Sequence, residues 1–351
     1  MIMMYFRSII PLICLVLVFS CSRSGILNDV PVSYLRPVES ITAVPDTSSR
    51  NAFTEVGNCI DIQIVNDSII ICQDQATDSD PYFFKAFSTD SHRYLGSFIR
   101  KGRGPGEMIS PRMASLPCNV SALYLTDNSE GTVSIIDVAR SIESGMADAI
   151  GSRGLSPETI DWCPVYDNGR FVLELQSDRM VYSVFEDEKI LHSFAPYGEL
   201  SGETYATHLS SIFLNNFTGG IVAEVMLFLP QINLFDTSLG TVRSIASDKS
   251  YRNWKSMLDC MIGPDTVQYY MAATCSSKYI FAAYKGRTMK DMMSNGSGTS
   301  IHIFDWEGRF IRSIQVEEDI REMTFDERNN QLYGIDKSSG NIVRYNLQDY
   351  D

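Results

Sequence analysis

What most constrains this chain is a hydrophobic pattern of period two that restarts about every fifty residues. Each unit carries an apolar strand ending in an acid or amide, a turn, and a second apolar strand. The markers are Asp90, Asp137, Glu186, Asp236, Asp305 and Asn346, and their spacings of 47, 49, 50, 69 and 41 residues average about 51. Two units are close copies, Ile232-Asn-Leu-Phe-Asp236 with Gly240 and Ile301-His-Ile-Phe-Asp305 with Gly308. A further apolar run precedes each later marker, as in Ala122 to Leu125, Arg170 to Glu174, Gly220 to Glu224, Tyr279 to Ala283 and Gln331 to Ile335. Period two places successive side chains on opposite faces of a strand, and a small sheet with two apolar faces needs neighbours on both sides. Four-stranded units at this period stack radially as a β-propeller, which leaves few free edges.

The expected fold is therefore all-β, a six-bladed propeller of four-stranded blades forming one domain over 34–351. Only five residues follow Asn346, too few for a turn and a fourth strand. Tyr34 to Val44, by contrast, is apolar and has no partner in the first unit. We expect it to supply the missing strand of the sixth blade and so close the ring. The 69-residue interval contains an insertion, with helical spacing at Tyr251, Trp254 and Leu258 and a polar stretch from Arg287 to Gly298. Its Met289, Met292 and Met293 read as loop packing, because Met fills irregular gaps.

Between the first two units lies Phe98-Ile-Arg-Lys-Gly102-Arg-Gly104-Pro-Gly106-Glu107. Glycines tolerate φ > 0 and proline fixes its own φ, so the segment reads as a rigid corner. It lacks the Gly-Lys-Ser/Thr and the helix of a phosphate loop, and Pro105 removes a donor. Gly104 and Gly106 are expected to need their lack of a side chain, and Arg103 to be dispensable for folding.

Residues 1–20 carry one basic residue, Arg7, and an apolar run from Ile9 to Phe19. That run is too short to span a bilayer and reads as a signal peptide. Cys21 follows directly, and 21–33 reads as a tether. The chain's net charge is −14, which disfavours a nucleic-acid partner. Beyond Cys14 and Cys21 there are Cys59, Cys72, Cys118, Cys163, Cys260 and Cys275, with no metal spacing. Cys59 with Cys72, or Cys260 with Cys275, would suit adjacent strands, and buried free thiols suit them equally.

The leader ending at Cys21, the six units and the Gly102 to Glu107 corner together resemble the TolB-like six-bladed propeller lipoproteins of Bacteroidetes. That resemblance implies lipidation at Cys21, an envelope location at the outer membrane and a monomeric scaffold, and it implies no catalytic residues.

Catalytic patterns are missing from the sequence. His92, His192, His208 and His302 are scattered, and no Gly-x-Ser-x-Gly elbow occurs. Asp74, Asp78 and Asp80 lack the turn glycine and terminal Glu of a calcium loop and read as a solvated loop. No cofactor or metal is expected. Loops on a rigid scaffold are where binding usually resides, and the strand assignment gathers Arg100, Lys101, Arg103, Glu107, Asp127, Arg179, Lys285 and Asp336 on one face. These are the expected contacts to a peptide, glycan or protein partner. The alternative is a metal-dependent propeller hydrolase or lactonase, for which Asp61, Asp161 and Glu322 would supply channel carboxylates.

Overall fold

The structure is a computed structural model. It describes residues 30, 32–36, 38–46, 52–116, 119–127, 129–156, 159–164, 171–176, 181–186, 189–195, 197, 209–217, 220–236, 241–247, 262–294 and 298–347. Cys21, the leader, Arg179 and the Tyr251 to Leu258 segment lie outside the described residues.

Two three-residue strands come first, β1 (Val32–Tyr34) and β2 (Ser40–Thr42). Six antiparallel sheets follow in chain order. Blade 1 is β3 (Cys59–Val65), β4 (Ile69–Asp74), β5 (Tyr82–Ser88) and β6 (Tyr94–Arg100). Blade 2 is β7 (Pro111–Met113), β8 (Leu123–Asp127), β9 (Thr132–Ile136) and β10 (Ala149–Gly154), with helix α1 (Val138–Ser144) before its last strand. Blade 3 is β11 (Thr159–Pro164), β12 (Phe171–Gln176), β13 (Val181–Glu186) and β14 (Lys189–Phe194). Blade 4 is β15 (Ser211–Asn216), β16 (Ile221–Met226), β17 (Gln231–Asp236) and β18 (Thr241–Ala246). Blade 5 is β19 (Val267–Cys275), β20 (Tyr279–Thr288), β21 (Thr299–Asp305) and β22 (Phe310–Val316), with helix α2 (Met289–Ser294) after β20. Blade 6 has three described strands, β23 (Ile320–Asp326), β24 (Gln331–Asp336) and β25 (Ile342–Asn346).

The first strands of blades 3 to 6 adjoin in turn around the axis, and β23 touches β3, so blade 6 meets blade 1. Most blade interfaces are apolar. Phe84, Phe98, Leu123 and Leu125 fill the joint between blades 1 and 2, and Cys59, Cys72, Phe87, Tyr333 and Ile335 the joint between 6 and 1. Each fully buried aromatic or branched side chain is worth about 1.5–3 kcal/mol of removal from water. Blades 3 and 4 meet differently: buried Glu224 accepts from the hydroxyls of Tyr182 and Tyr197 at 2.5 Å each and from the Asn233 amide at 2.7 Å. Burial pushes the Glu224 carboxyl above its usual range although these donors oppose the shift.

The ring does not close as the sequence suggests. β1 pairs in parallel with β18 on blade 4, and β2 with β22 on blade 5, each as an added outer strand. Ala43 packs in the core shared by blades 5 and 6, and Asp46 reaches blade 6, its N–H donating to the Arg344 carbonyl at 2.8 Å and its carboxylate pairing with the Arg344 guanidinium. The segment is a belt over blades 4 to 6 rather than the fourth strand of one blade. Two three-residue strands separated by Leu35 to Glu39 hold two sheets where a single strand was expected to complete one.

Candidate functional site

Strand directions sort the loops onto two faces. Crossovers from a fourth strand to the next blade, and turns between second and third strands, share one face; the remaining hairpins share the other. Residues 101–110, 75–81, 129–131 and 337–341 are thereby gathered on the crossover face, as the strand assignment anticipates.

The glycine corner is held from several sides. Lys101 N–H donates to the Pro81 carbonyl at 2.8 Å, Gly102 N–H to Met108 at 2.9 Å, and Ala147 N–H to Gly106 at 2.9 Å. The Glu107 carboxylate accepts from Gly104 N–H at 2.8 Å. Gly106 has φ +73°, and a Cβ there would lie 2.9 Å from the Met146 Cβ. At Gly102 a Cβ would lie 1.9 Å from the Glu107 carboxylate. Gly104 is outside the left-handed region, and its nearest neighbour is the end of that same flexible side chain at 3.0 Å. The demanding glycine is therefore Gly106, whereas at Gly102 and Gly104 a side chain would meet the movable end of Glu107. Ile99, just before the corner, takes φ +59°, a strained angle for a β-branched residue. Arg100, Lys101 and Arg103 are exposed, and Glu107 is half-buried.

The other expected contacts, Asp127, Lys285 and Asp336, have internal roles, and so has Asp74 of the expected solvated loop. Asp74, Asp127 and Asp336 each end the second strand of a blade, and each receives N–H groups from the segment entering that blade. Asp74 accepts from Gly57 and Asn58 at 2.7 and 2.6 Å, Asp127 from Ile109 at 2.7 Å, and Asp336 from Asp319 at 3.2 Å. Ser129 adds a hydroxyl to Asp127 at 2.6 Å, and Ser338 and Ser339 each add one to Asp336 at 2.6 Å. Burial alone would raise these carboxyls. The donors outweigh it and hold all three below the usual range.

Two buried lysines complete these locks. Lys85 joins Asp74 and Asp80 at 2.6 Å each, so the expected solvated loop is an ion-paired one. Lys285 is buried, pairs with Asp319 and donates to the Thr299 hydroxyl at 2.6 Å. Burial pulls its ammonium below the usual lysine range, and Asp319 offsets part of that. In the insertion Met292 is buried and Met293 exposed.

A separate set shares a register position on the inner strands. A β-bulge interrupts β3 between Cys59 and Asp61, β11 between Thr159 and Asp161, and β23 between Ile320 and Glu322. Bulges re-aim the side chains beside them. Asp61, Asp161 and Glu322, with Arg112 on β7, pair one residue short of the end of the second strand. They occupy one register position on four inner strands. Burial inside the ring pushes Asp61 up to about 7, although the Ile62 N–H and the Arg112 charge act against it. Glu322 is pushed well above the usual range by burial and then by the Asp61 charge, with Arg321 and Arg112 opposing. Two carboxyls held above their usual range by burial, one of them further raised by the charge of the other, suit proton exchange or a cationic ligand. The Asp161 side chain is outside the described residues, and among those described no three His, Cys, Asp or Glu form a metal-binding group.

The bulges and the locks are what sequence reasoning missed. Acids directly after the start of a first strand, and acid-Ser or acid-x-Ser at the end of a second, are the signals that could have found them. Cys59, Cys72, Cys163 and Cys275 are buried thiols. Among the described residues no helix is long and apolar enough to cross a membrane.

A family model described as TolB-like 6-blade propeller-like matches residues 47–328. Among solved structures, a member of the duf4221 family from Bacteroides vulgatus superposes with a TM-score of 0.57 at 11% identity, covering 87% of this chain and 94% of that one. The Cps50 (Swd1) β-propeller domain of Myceliophteria thermophila gives 0.50 at 9% identity, covering 83% and 98%. At such identities these likenesses concern the fold alone. No curated protein matches the sequence.

Proposed function

From the premise that the chain belongs to the TolB-like 6-blade propeller-like family, we propose that it is a monomeric, lipid-anchored envelope scaffold of the outer membrane that binds a peptide, glycan or protein partner without transforming it. The partner carries carboxylates. What supports this is the corner, where Arg100, Lys101 and Arg103 stay exposed on a loop held from several sides while the chain as a whole bears a net charge of −14. A cationic spot that needs no ordering on binding keeps most of its interaction energy. Cys21 carries the anchor in this reading.

Panels of acidic and neutral glycans and peptides test it. Binding should be confined to carboxylate-bearing members, weaken as the salt rises from roughly 0.05 to 0.5 M, and vanish in Arg100→Glu/Lys101→Glu/Arg103→Glu. Retention of the same ligands by that variant would refute the assignment.

One observation favours a second reading, the Asp61 and Glu322 pair, which resembles the proton-sharing carboxyls of hydrolytic sites. A metal-dependent hydrolase or lactonase would take up a divalent ion at the channel and lose both ion and turnover in Asp61→Asn. Calorimetric titration with calcium, magnesium and zinc decides it.

A further inference from the structure

On the hairpin face one register irregularity recurs. The fourth strands of blades 1, 2, 3 and 5 each carry a bulge near their start, and the residue left without a partner is aliphatic every time. It is Leu95 on β6, Ile150 on β10, Leu191 on β14 and Ile311 on β22. A bulge breaks the in-out alternation and turns the extra side chain away from the sheet's regular faces. Leu95, like Ile142 of α1, packs against the core at the joint between blades 1 and 2. The other three have no such cover and are 60%, 41% and 37% exposed, with Ile190 beside Leu191 at 49%. Single exposed aliphatics are ordinary; the same structural position exposing one in three blades is a pattern.

All three lie on one rim. Fourth strands run from the hairpin face to the crossover face, and the bulges sit at their beginnings. β1 pairs in parallel with β18, so it climbs in the same direction, and the chain ahead of Val32 approaches from the hairpin side. Ten residues separate Cys21 from Val32. Even fully extended they span at most about 35 Å. An acyl group on Cys21 therefore keeps the ring near the bilayer and enters from the side on which the aliphatic rim lies.

We propose that the hairpin face rests on the lipid surface, with Ile150, Leu191 and Ile311 as its contacts, and that the crossover face with its cationic corner points away from the membrane. This rests on the lipidation reading of Cys21. A short tether sets an effective concentration in the range of mM, so a contact too weak to hold a free protein suffices for an anchored one. Several charges of this face are paired. Arg309 lies 2.5 Å from Asp305 and 2.9 Å from Glu307, and Arg328 lies 3.8 Å from Asp90, which lessens the repulsion an anionic membrane would exert.

The test uses the acylated protein in vesicles of phosphatidylethanolamine and phosphatidylglycerol containing spin-labelled lipid, in a Cys118→Ser/Cys260→Ser background. A fluorophore is placed by Ile150→Cys, Leu191→Cys or Ile311→Cys on the rim, and by Arg103→Cys or Met293→Cys on the opposite face. Rim positions should be quenched several-fold more than the opposite ones. Equal quenching on both faces, or an unquenched rim in protein whose Cys21 peptide carries its acyl mass, overturns the proposal. So does rim-to-rim cross-linking without quenching, which would make the rim a contact between copies. A quenched rim with no acyl mass on Cys21 upholds the membrane-facing rim and sinks only the lipidation reading.

Discussion

Two sets of carboxylates sit within the same ring and behave oppositely. Asp74, Asp127 and Asp336 end second strands, receive backbone N–H groups and hydroxyls, and are held below their usual range. Asp61 and Glu322 lie at bulges on first strands and are held above it, both chiefly by burial and Glu322 further by the Asp61 charge. Burial acts on both sets in the same direction. What differs is the number of donors: the lock acids each meet several N–H or hydroxyl groups, while Asp61 has the Ile62 N–H at 2.7 Å and the Arg112 charge, and Glu322 has the charges of Arg321 and Arg112 against that of Asp61. Acids of the first kind hold blades together, and acids of the second kind are available for chemistry or binding.

The largest effect expected from breaking a lock is at Asp127. Asp127→Ala strands the Ile109 N–H and removes the Ser129 bonds, which should lower stability by about 2–4 kcal/mol in denaturant unfolding. A loss below about 0.5 kcal/mol would show that the crossover does not depend on it. Next comes the corner, where Gly106→Val should cost about 1–3 kcal/mol for the backbone angle alone, and Gly104→Val distinctly less. Melting the two side by side checks the order, and an equal loss would mean that φ at Gly106 is not what the corner requires.

The pH dependence has two opposed parts. An acid whose folded pKa is depressed lends stability above its unfolded value, and that stability is lost as pH falls through the folded one. The locks should therefore fail on acidification below about pH 4. An acid whose folded pKa is raised does the reverse. Between about 4 and 7 the unfolded Asp61 ionises before the folded one, so stability falls as pH rises through that window, by at most about 4 kcal/mol for three pKa units. Melting curves from pH 3 to 9 should therefore show a maximum near pH 4 to 5 with a decline toward pH 7, and Asp61→Asn should flatten that decline. The smallest effect is expected at Arg103→Ala, within about 0.5 kcal/mol in the same unfolding assay, since the side chain is exposed.

The six blades were legible because a period-two pattern repeated at about fifty residues leaves few other ways to bury both faces of each sheet. The crossover face was legible for the same reason, since strand direction follows from strand count. The locks were not, because Asp127 and Asp336 look like turn residues in sequence, and nothing there shows that the preceding crossover points its N–H groups at them. Lys285 was taken for a loop charge although it lies inside β20, two residues after Ala283 in an apolar run. Bulges at Ile60, Ile150 and Leu191 shift register by one residue, which alternation alone does not resolve. The belt was misplaced for want of length: three residues of β1 and three of β2 carry too little pattern to name the sheet edge they join.

The most direct test is to melt Asp61→Asn and Asp127→Asn alongside the parent protein at pH 8. Both substitutions remove one charge and nearly preserve shape, so they isolate what each carboxylate's surroundings do to it. The account predicts opposite signs, with Asp61→Asn raising the melting temperature by relieving the Glu322 pair and Asp127→Asn lowering it by weakening the Ile109 and Ser129 bonds. A drop of similar size in both would contradict the division between acids that hold the ring and acids that it keeps available.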